Sequence, residues 1–154
     1  MHAPWAIQNV FAAFCFLLSA ICFLIVGTKI AIYSPIMPFL FENLEVYKKS
    51  LEFVGEIHEF CSNLSSIRNG KIIDQLQRAA LSIPLNIAEG NGRIHAREKR
   101  QFFYISRGSL LECIPLLQIC LMTKLLDKSK YESLYTKADE IGRMLNGLIR
   151  SVEN

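Results

Sequence analysis

The side chains able to act as nucleophiles, acids, bases or metal ligands are few and poorly grouped. The chain has three histidines and five cysteines, and it contains no C-x-x-C pair. Zinc sites need close ligand pairs, and di-iron sites in helical bundles need Glu-x-x-His pairs, which are also absent. His58 and Cys61 have the spacing of a nucleophile pair, but a packed thiol beside a partly exposed imidazole is the simpler interpretation. We therefore predict a protein that is not an enzyme, with no catalytic residues, no metal and no cofactor.

The cysteines are expected to be buried free thiols, because their number is odd and a thiol packs as a small apolar group. Cys113 and Cys120 are two helical turns apart and so share one helical face. Disulfides or zinc binding are the alternative. The full set is Cys15, Cys22, Cys61, Cys113 and Cys120.

A polar group in an apolar helical pattern predicts a structural clasp between two helices. Asn86 and Glu89 are three residues apart, so they share a face with two isoleucines that should be buried. A buried carboxylate is costly unless it is paired, and a following helix offers Arg107 and Ser109 as donors to Glu89. A catalytic acid is the alternative role for Glu89. The residues of this predicted structural motif are Asn86, Glu89, Gly90, Ser109 and Glu112.

A basic cluster is the strongest functional signal in the sequence. It lies between positions 93 and 107, where Glu98 is the only acidic residue and three aromatic residues follow one another. Cations beside aromatic rings can hold phosphates and stack bases, and cations at the start of a helix oppose its dipole. This pattern predicts RNA or DNA binding, and the alternative is a solvated helix surface. The members are Arg93, Arg97, Lys99, Arg100 and Arg107.

The elements that would position these residues are four amphipathic helices. Apolar residues recur every three or four positions, and no segment alternates with period two, so we predict an all-α antiparallel four-helix bundle. The buried stripe of the first helix is predicted as Leu44, Tyr47, Leu51, Val54, His58 and Cys61. The four segments run over about 43–64, 71–89, 96–126 and 128–152.

Proline and glycine punctuate these helices. Pro84 and Pro115 each lie inside an apolar helical pattern and should bend the helix that contains them. A division of the second segment at 82–84 is the alternative for Pro84. The glycines of 90–92 are expected to end the second helix, with a left-handed residue at its cap.

The first 36 residues differ from the rest of the chain. Half of all residues are apolar (51%) and a fifth are charged (20%), yet Lys29 is the only charged residue before position 37. Residues 10–27 form an apolar run long enough to span a bilayer, at about 27 Å as a helix. The positive-inside rule would then place the following domain in the cytosol. The alternative is a misassigned start, with the protein beginning at Met37. We predict an apolar leader over 1–36, outside a bundle over 37–154.

Four stretches of sequence resemble one bacterial family. They are FENLEVYKKSL at 41–51, LQRAALSIPLNIAEG at 76–90, RGSLLE at 107–112 and IGRMLNGLI at 141–149. These resemble the four-helix-bundle proteins encoded in intervening sequences of 23S ribosomal RNA genes, also labelled S23 ribosomal proteins. The chain is also similar to the accessory protein of diversity-generating retroelements, a basic pentamer that binds a reverse transcriptase and nucleic acid. The leader has no counterpart in the family.

The resemblance implies a cytoplasmic bundle that assembles as a ring-like homopentamer. Together with the basic cluster, it predicts a self-associating accessory factor whose partners are copies of itself and RNA, DNA or a protein. The alternative is a membrane-anchored cytosolic interaction module, which requires residues 10–27 to be a genuine membrane segment.

Overall fold

The computed structural model describes residues 39–64 and 70–152, and within them it is entirely helical. The prediction of an all-α four-helix bundle is confirmed. The predicted leader, with Cys15 and Cys22, lies outside the described residues. A short 3-10 turn at Leu40–Asn43 precedes four helices: α1 at Glu45–Ser62, α2 at Gly70–Gly92, α3 at Ala96–Met122 and α4 at Lys128–Ser151.

The helices form a closed square in which each packs against its neighbours along the chain. The square is completed by contact between α1 and α4, and the described helices make no close backbone approach across either diagonal. The short connections at 93–95 and 123–127 reverse the chain, so the bundle is antiparallel. We call one end of the bundle the entry end; it carries Leu40–Asn43, residues 92–96 and the end of α4.

Apolar residues with helical spacing form the core of the last three helices. Leu76, Ile83 and Ile87 of α2 are fully buried, and so are Leu117 of α3 and Leu145 of α4. Each comes from an apolar pattern with helical spacing, which only one face of a helix can satisfy. The packing of these residues also sets the distance between neighbouring helices. The core therefore determines which polar side chains of α2, α3 and α4 are close enough to contact one another.

The predicted stripe of α1 is correct at Cys61 but wrong at Leu51 and His58. The buried residues are Val46, Ser50, Phe53, Ile57 and Cys61, whereas the predicted members Leu51 and His58 are exposed. The observed stripe buries Phe53, whose aromatic side chain removes more apolar area from water than Leu51 would. Ser50 is tolerated inside because its hydroxyl donates to the carbonyl of Tyr47 at 2.6 Å.

Both prolines lie within continuous helices. The α2 helix runs through Pro84 and α3 runs through Pro115, so a division of the second segment at 82–84 is excluded. Two side chains bind carbonyl oxygens beside the first proline: Ser106 donates to Ile83 at 3.0 Å, and Asn86 donates to Ser82 at 2.7 Å. The turn that contains the proline is therefore held by its own helix and by α3.

The expected left-handed glycine cap of α2 is also wrong. The helix includes Gly90 and extends to Gly92, and no described glycine has a positive φ. The left-handed residue is Lys124, with φ 58°, which follows α3. The chain turns there. Helix α3 ends at Met122, whereas the predicted segment ran to about residue 126.

Three thiols are buried and free, as predicted: those of Cys61, Cys113 and Cys120. Burial raises the pKa of Cys61 to about 11 and that of Cys113 to about 12. Loss of solvation penalises the thiolate, so these groups stay protonated at neutral pH and are poor nucleophiles.

One helix in the described part of the chain, α3, is long and apolar enough to cross a membrane by length and composition alone. Core helices of soluble proteins share this property, and the inner stripe of α3 is buried in the bundle.

A carboxylate between two lysines joins α1 to α4. Glu56 accepts from Lys130 at 3.2 Å and also from Lys137, and only 24% of its side chain is exposed. Burial alone would raise the pKa of Glu56, but the hydrogen bonds and charges of both lysines outweigh it and hold this pKa below its ordinary value.

A Glu56→Gln variant is therefore expected to be less stable than the parent at neutral pH, by about 1 kcal/mol. The depressed pKa stabilises the fold fully above the unfolded value of about 4.3, and this stabilisation is lost as pH falls through the folded pKa. Denaturant unfolding of both proteins between about pH 7 and pH 3 should show the difference shrinking on acidification. A matched Glu132→Gln change, at an exposed pair with Lys128, should have little effect at any pH. A difference for Glu56→Gln that is independent of pH would contradict this assignment.

Candidate nucleic-acid interface

The predicted basic cluster does not form one continuous surface. Arg93 lies in the connection before α3, where it forms an ion pair with Glu89 and places its guanidinium 4.7 Å from the centroid of Phe102. Arg97 is exposed, while Lys99 and Arg100 are half-buried. Arg107 lies further along α3 and faces α4. The structure thus separates Arg107 from the part of the cluster beside α2.

A groove between α3 and α4 collects basic side chains from both helices. Arg107 Nη1 donates to Oδ1 of Asn146 at 2.9 Å, and the same guanidinium lies 5.0 Å from the centroid of the Tyr104 ring. This is cation–π geometry, which fixes the plane of both groups. We call this surface the α3–α4 groove; it is lined by Tyr104, Arg107, Arg143, Asn146, Ile149 and Arg150.

Helical spacing explains why α3 presents these side chains together. Arg100, Tyr104 and Arg107 are four and three residues apart, so they share one side of the helix. Phe103, the neighbour of Tyr104, is buried in the core and fixes the rotation of this part of α3. Arg100 therefore lies on the same side of the helix as the two groove residues.

The arginines of α4 were missed by the sequence-based prediction. Arg143, Asn146 and Arg150 are three and four residues apart and share one side of α4. Arg143 also contacts Asp139 at 3.2 Å, but both side chains are largely exposed, and such pairs are weak in water. The spacing of the two arginines, two helical turns, is the signal that could have identified them.

The predicted clasp, in which Glu89 accepts from Arg107 or Ser109, is wrong, and other polar side chains join α2 to α3. Ser82 and Ser109 share a hydrogen bond of 2.8 Å across the two helices, and Asn86 donates to the Ser82 hydroxyl at 2.9 Å. Glu89 is exposed and pairs with Arg93, one turn later in the chain. The apolar register placed Glu89 at the edge of the buried face, where it reaches solvent without contacting α3.

The other two residues of the predicted motif have different roles. Glu112 accepts a hydrogen bond from Gln75, which adds a second polar contact between α3 and α2. Gly90 is buried where α2 packs tightly against α3. A Cβ atom on Gly90 would lie 2.7 Å from Cε1 of Phe103 and 3.0 Å from the carbonyl oxygen of Lys99. Gly90 therefore permits the approach of α2 to α3.

The candidate nucleophile pair is not assembled. His58 is exposed, with Nδ1 at 3.4 Å from Nε2 of Gln77, while Cys61 is buried and its pKa is raised. Within residues 39–64 and 70–152, no group of three or more histidine, cysteine or acidic side chains is placed to hold a metal.

By its fold and its groove, this chain is a small helical-bundle protein with a basic surface between α3 and α4. The chain belongs to the family of 23S rRNA-intervening sequence proteins, whose sequence pattern matches residues 42–147. This confirms the resemblance found in the sequence.

The fold is also similar to a solved structure from the same family. That structure is a protein of unknown function from the S23 ribosomal protein family of Bacteroides thetaiotaomicron, determined by crystallography at 1.70 Å. The two chains are 25% identical with a TM-score of 0.61, and the match covers 68% of this chain and 97% of the other. No curated protein matches the chain. The similarity to the accessory protein of diversity-generating retroelements stays a prediction.

Proposed function

We propose that this protein is a self-associating, non-enzymatic accessory factor that binds RNA or DNA through the α3–α4 groove. The observation that carries the proposal is the convergence of Arg107, Arg143 and Arg150 on one groove that also contains Tyr104. Arginine forks match phosphate oxygens, and an aromatic ring beside them offers a surface on which a base can stack.

The order of groups along the groove fits a nucleic-acid strand. Arg100 and Arg107 are separated by about 10.5 Å along the α3 axis, since a helix rises about 1.5 Å per residue. Arg143 and Arg150 have the same separation on the antiparallel α4. The two rows of guanidinium groups can contact phosphates at separated positions along a strand, and the Tyr104 ring lies between Arg100 and Arg107 in the α3 row.

Self-association is supported by the apolar outer face of α3. Leu111 is 62% exposed and Met122 is 81% exposed, and Ile119 lies between them on the same side. A ring of copies, five by the family resemblance, would bury such side chains and repeat the groove. A repeated groove focuses positive potential, which raises the affinity for a polyanion.

The test is a titration of the full chain, kept soluble in mild detergent, against single-stranded RNA and duplex DNA at several salt concentrations. Each phosphate contact adds about 0.7 to 0.9 to the slope of log affinity against log salt. A variant with Arg107→Gln, Arg143→Gln and Arg150→Gln is expected to bind at least about 30-fold more weakly, with a slope smaller by about 2.

The matched control changes three exposed lysines far from the groove, in Lys71→Gln, Lys124→Gln and Lys128→Gln. It removes the same charge, so it should retain most of the affinity. Equal losses in the two variants, or no binding of the parent at low salt, would contradict the groove assignment. Native mass spectrometry of the same samples should give more than one copy, and a monomer at the binding concentration would contradict self-association.

A further inference from the structure

The entry end of the bundle exposes apolar side chains next to cations. Ile94, in the connection between α2 and α3, is 93% exposed, and Phe39 and Leu40 are 68% and 79% exposed. Single exposed apolar residues are ordinary on protein surfaces, but a group of three at one end marks a contact surface. We call Phe39, Leu40 and Ile94, with the adjacent Arg93 and Arg97, the entry patch.

The two chain segments of the entry patch are adjacent in the fold. Phe39 stacks on Phe41 with ring centroids 5.6 Å apart. Phe41 lines one shallow groove together with Gly92 and Arg93 of the connection. The turn before α1 and the connection before α3 therefore present their exposed apolar side chains at one site.

Cations lie beside the apolar residues of the patch along the chain. Arg93 and Arg97 flank Ile94, and Lys99 is two residues after Arg97, with Glu98 as the one acidic residue among them. Arg93 also contacts Glu89, and the two side chains are 41% and 51% exposed, so part of the guanidinium is accessible to an external anion. Apolar side chains that enter the headgroup region, with cations on the lipid phosphates, are the usual composition of a membrane-docking surface.

The course of the chain gives an independent reason to choose a bilayer as the partner. The apolar run of residues 10–27 ends eleven residues before Phe39. Eleven extended residues reach at most about 40 Å. Insertion of that run would hold the entry patch close to the same membrane surface, and its charge is of the sign that anionic lipids attract.

We propose that the entry patch docks on an anionic lipid bilayer, with Ile94, Phe39 and Leu40 in the headgroup region and Arg93, Arg97 and Lys99 on lipid phosphates. The docked bundle would stand on its entry end, and the apolar face of α3 near Met122 would point away from the lipid. The surface is distinct from the α3–α4 groove, and docking does not require Arg107, Arg143 or Arg150.

The experiment uses the full chain with a single tryptophan moved to the patch. Trp5 is the only tryptophan in the sequence, so Trp5→Phe with Ile94→Trp reports on the patch alone. The matched control is Trp5→Phe with Ser129→Trp, which places the probe at an exposed site at the start of α4, at the opposite end of the bundle. Both proteins are mixed with phosphatidylcholine vesicles, with and without phosphatidylglycerol, and with brominated lipids as quenchers.

The expected result is a blue shift and quenching for Ile94→Trp that grow with phosphatidylglycerol, and neither change for Ser129→Trp. Adding Arg97→Gln and Lys99→Gln should reduce the quenching in anionic vesicles. Unchanged emission at position 94 in vesicle-bound protein would overturn the proposal, as would equal quenching at both sites. An emission change at position 94 with RNA but not with vesicles would assign the patch to nucleic acid instead.

Discussion

A Gly90→Ala variant is expected to lose about 1 to 3 kcal/mol of unfolding free energy, which is the range for overpacked cores. The added methyl group would meet two ring carbons of Phe103 at 2.7 and 2.9 Å and the Lys99 carbonyl oxygen at 3.0 Å. Phe103 is buried and the second neighbour is backbone, so neither can move without separating α2 from α3. The intrinsic preference of a helix for alanine recovers only about 1 kcal/mol.

The control for this variant is Gly108→Ala in the middle of α3. An ideal Cβ at Gly108 has no neighbour within 4 Å, so the change should leave stability unaltered or raise it by up to about 1 kcal/mol. Urea unfolding of the two variants and the parent measures both effects. The assignment of Gly90 as a site of tight contact between α2 and α3 fails if both substitutions shift stability in the same direction.

A Phe53→Ala variant is expected to destabilise the bundle by about 3 to 5 kcal/mol, the cost of an aromatic truncation in a core. Phe53 is completely buried in α1 among side chains of the other helices. Leu51 is two residues earlier and 46% exposed, so Leu51→Ala should cost less than about 1 kcal/mol.

Comparing Phe53→Ala with Leu51→Ala distinguishes the observed buried stripe of α1 from the stripe predicted from sequence. The predicted stripe contains Leu51 and excludes Phe53. Thermal unfolding followed by circular dichroism is sufficient, because the two expected losses differ severalfold. A larger loss for Leu51→Ala than for Phe53→Ala would support the sequence-based register of α1.

The helices and their order follow from the sequence because long apolar stripes leave few alternatives. The fourth helix starts at Lys128 as predicted, where Asp127 caps it by accepting from the backbone amide of Lys130 at 2.9 Å. The rotation of α1 was not predictable in the same way. Two overlapping apolar stripes run along this helix, and only the shape of the cavity left by α2, α3 and α4 selects between them.

The candidate site was predictable only where its residues are neighbours in sequence. Arg107 was identified because it lies near other cations, but Arg143 and Arg150 join it only through the packing of α4 on α3. Glu89 was predicted to belong to a polar contact between α2 and α3, and it does not. Its helical phase is close to the buried face, yet a carboxylate at the edge of that face reaches solvent and pairs with Arg93 at lower cost.

An even number of antiparallel helices returns the chain to the end from which it started. Whatever precedes Phe39 and whatever follows α4 must both leave the bundle at the entry end, so any added domain or anchor is attached there. The opposite end carries only internal connections, including the turn at 123–127. Leu126 of that turn is buried in the core, so the fold has one end for tethering and one end closed by a packed connection.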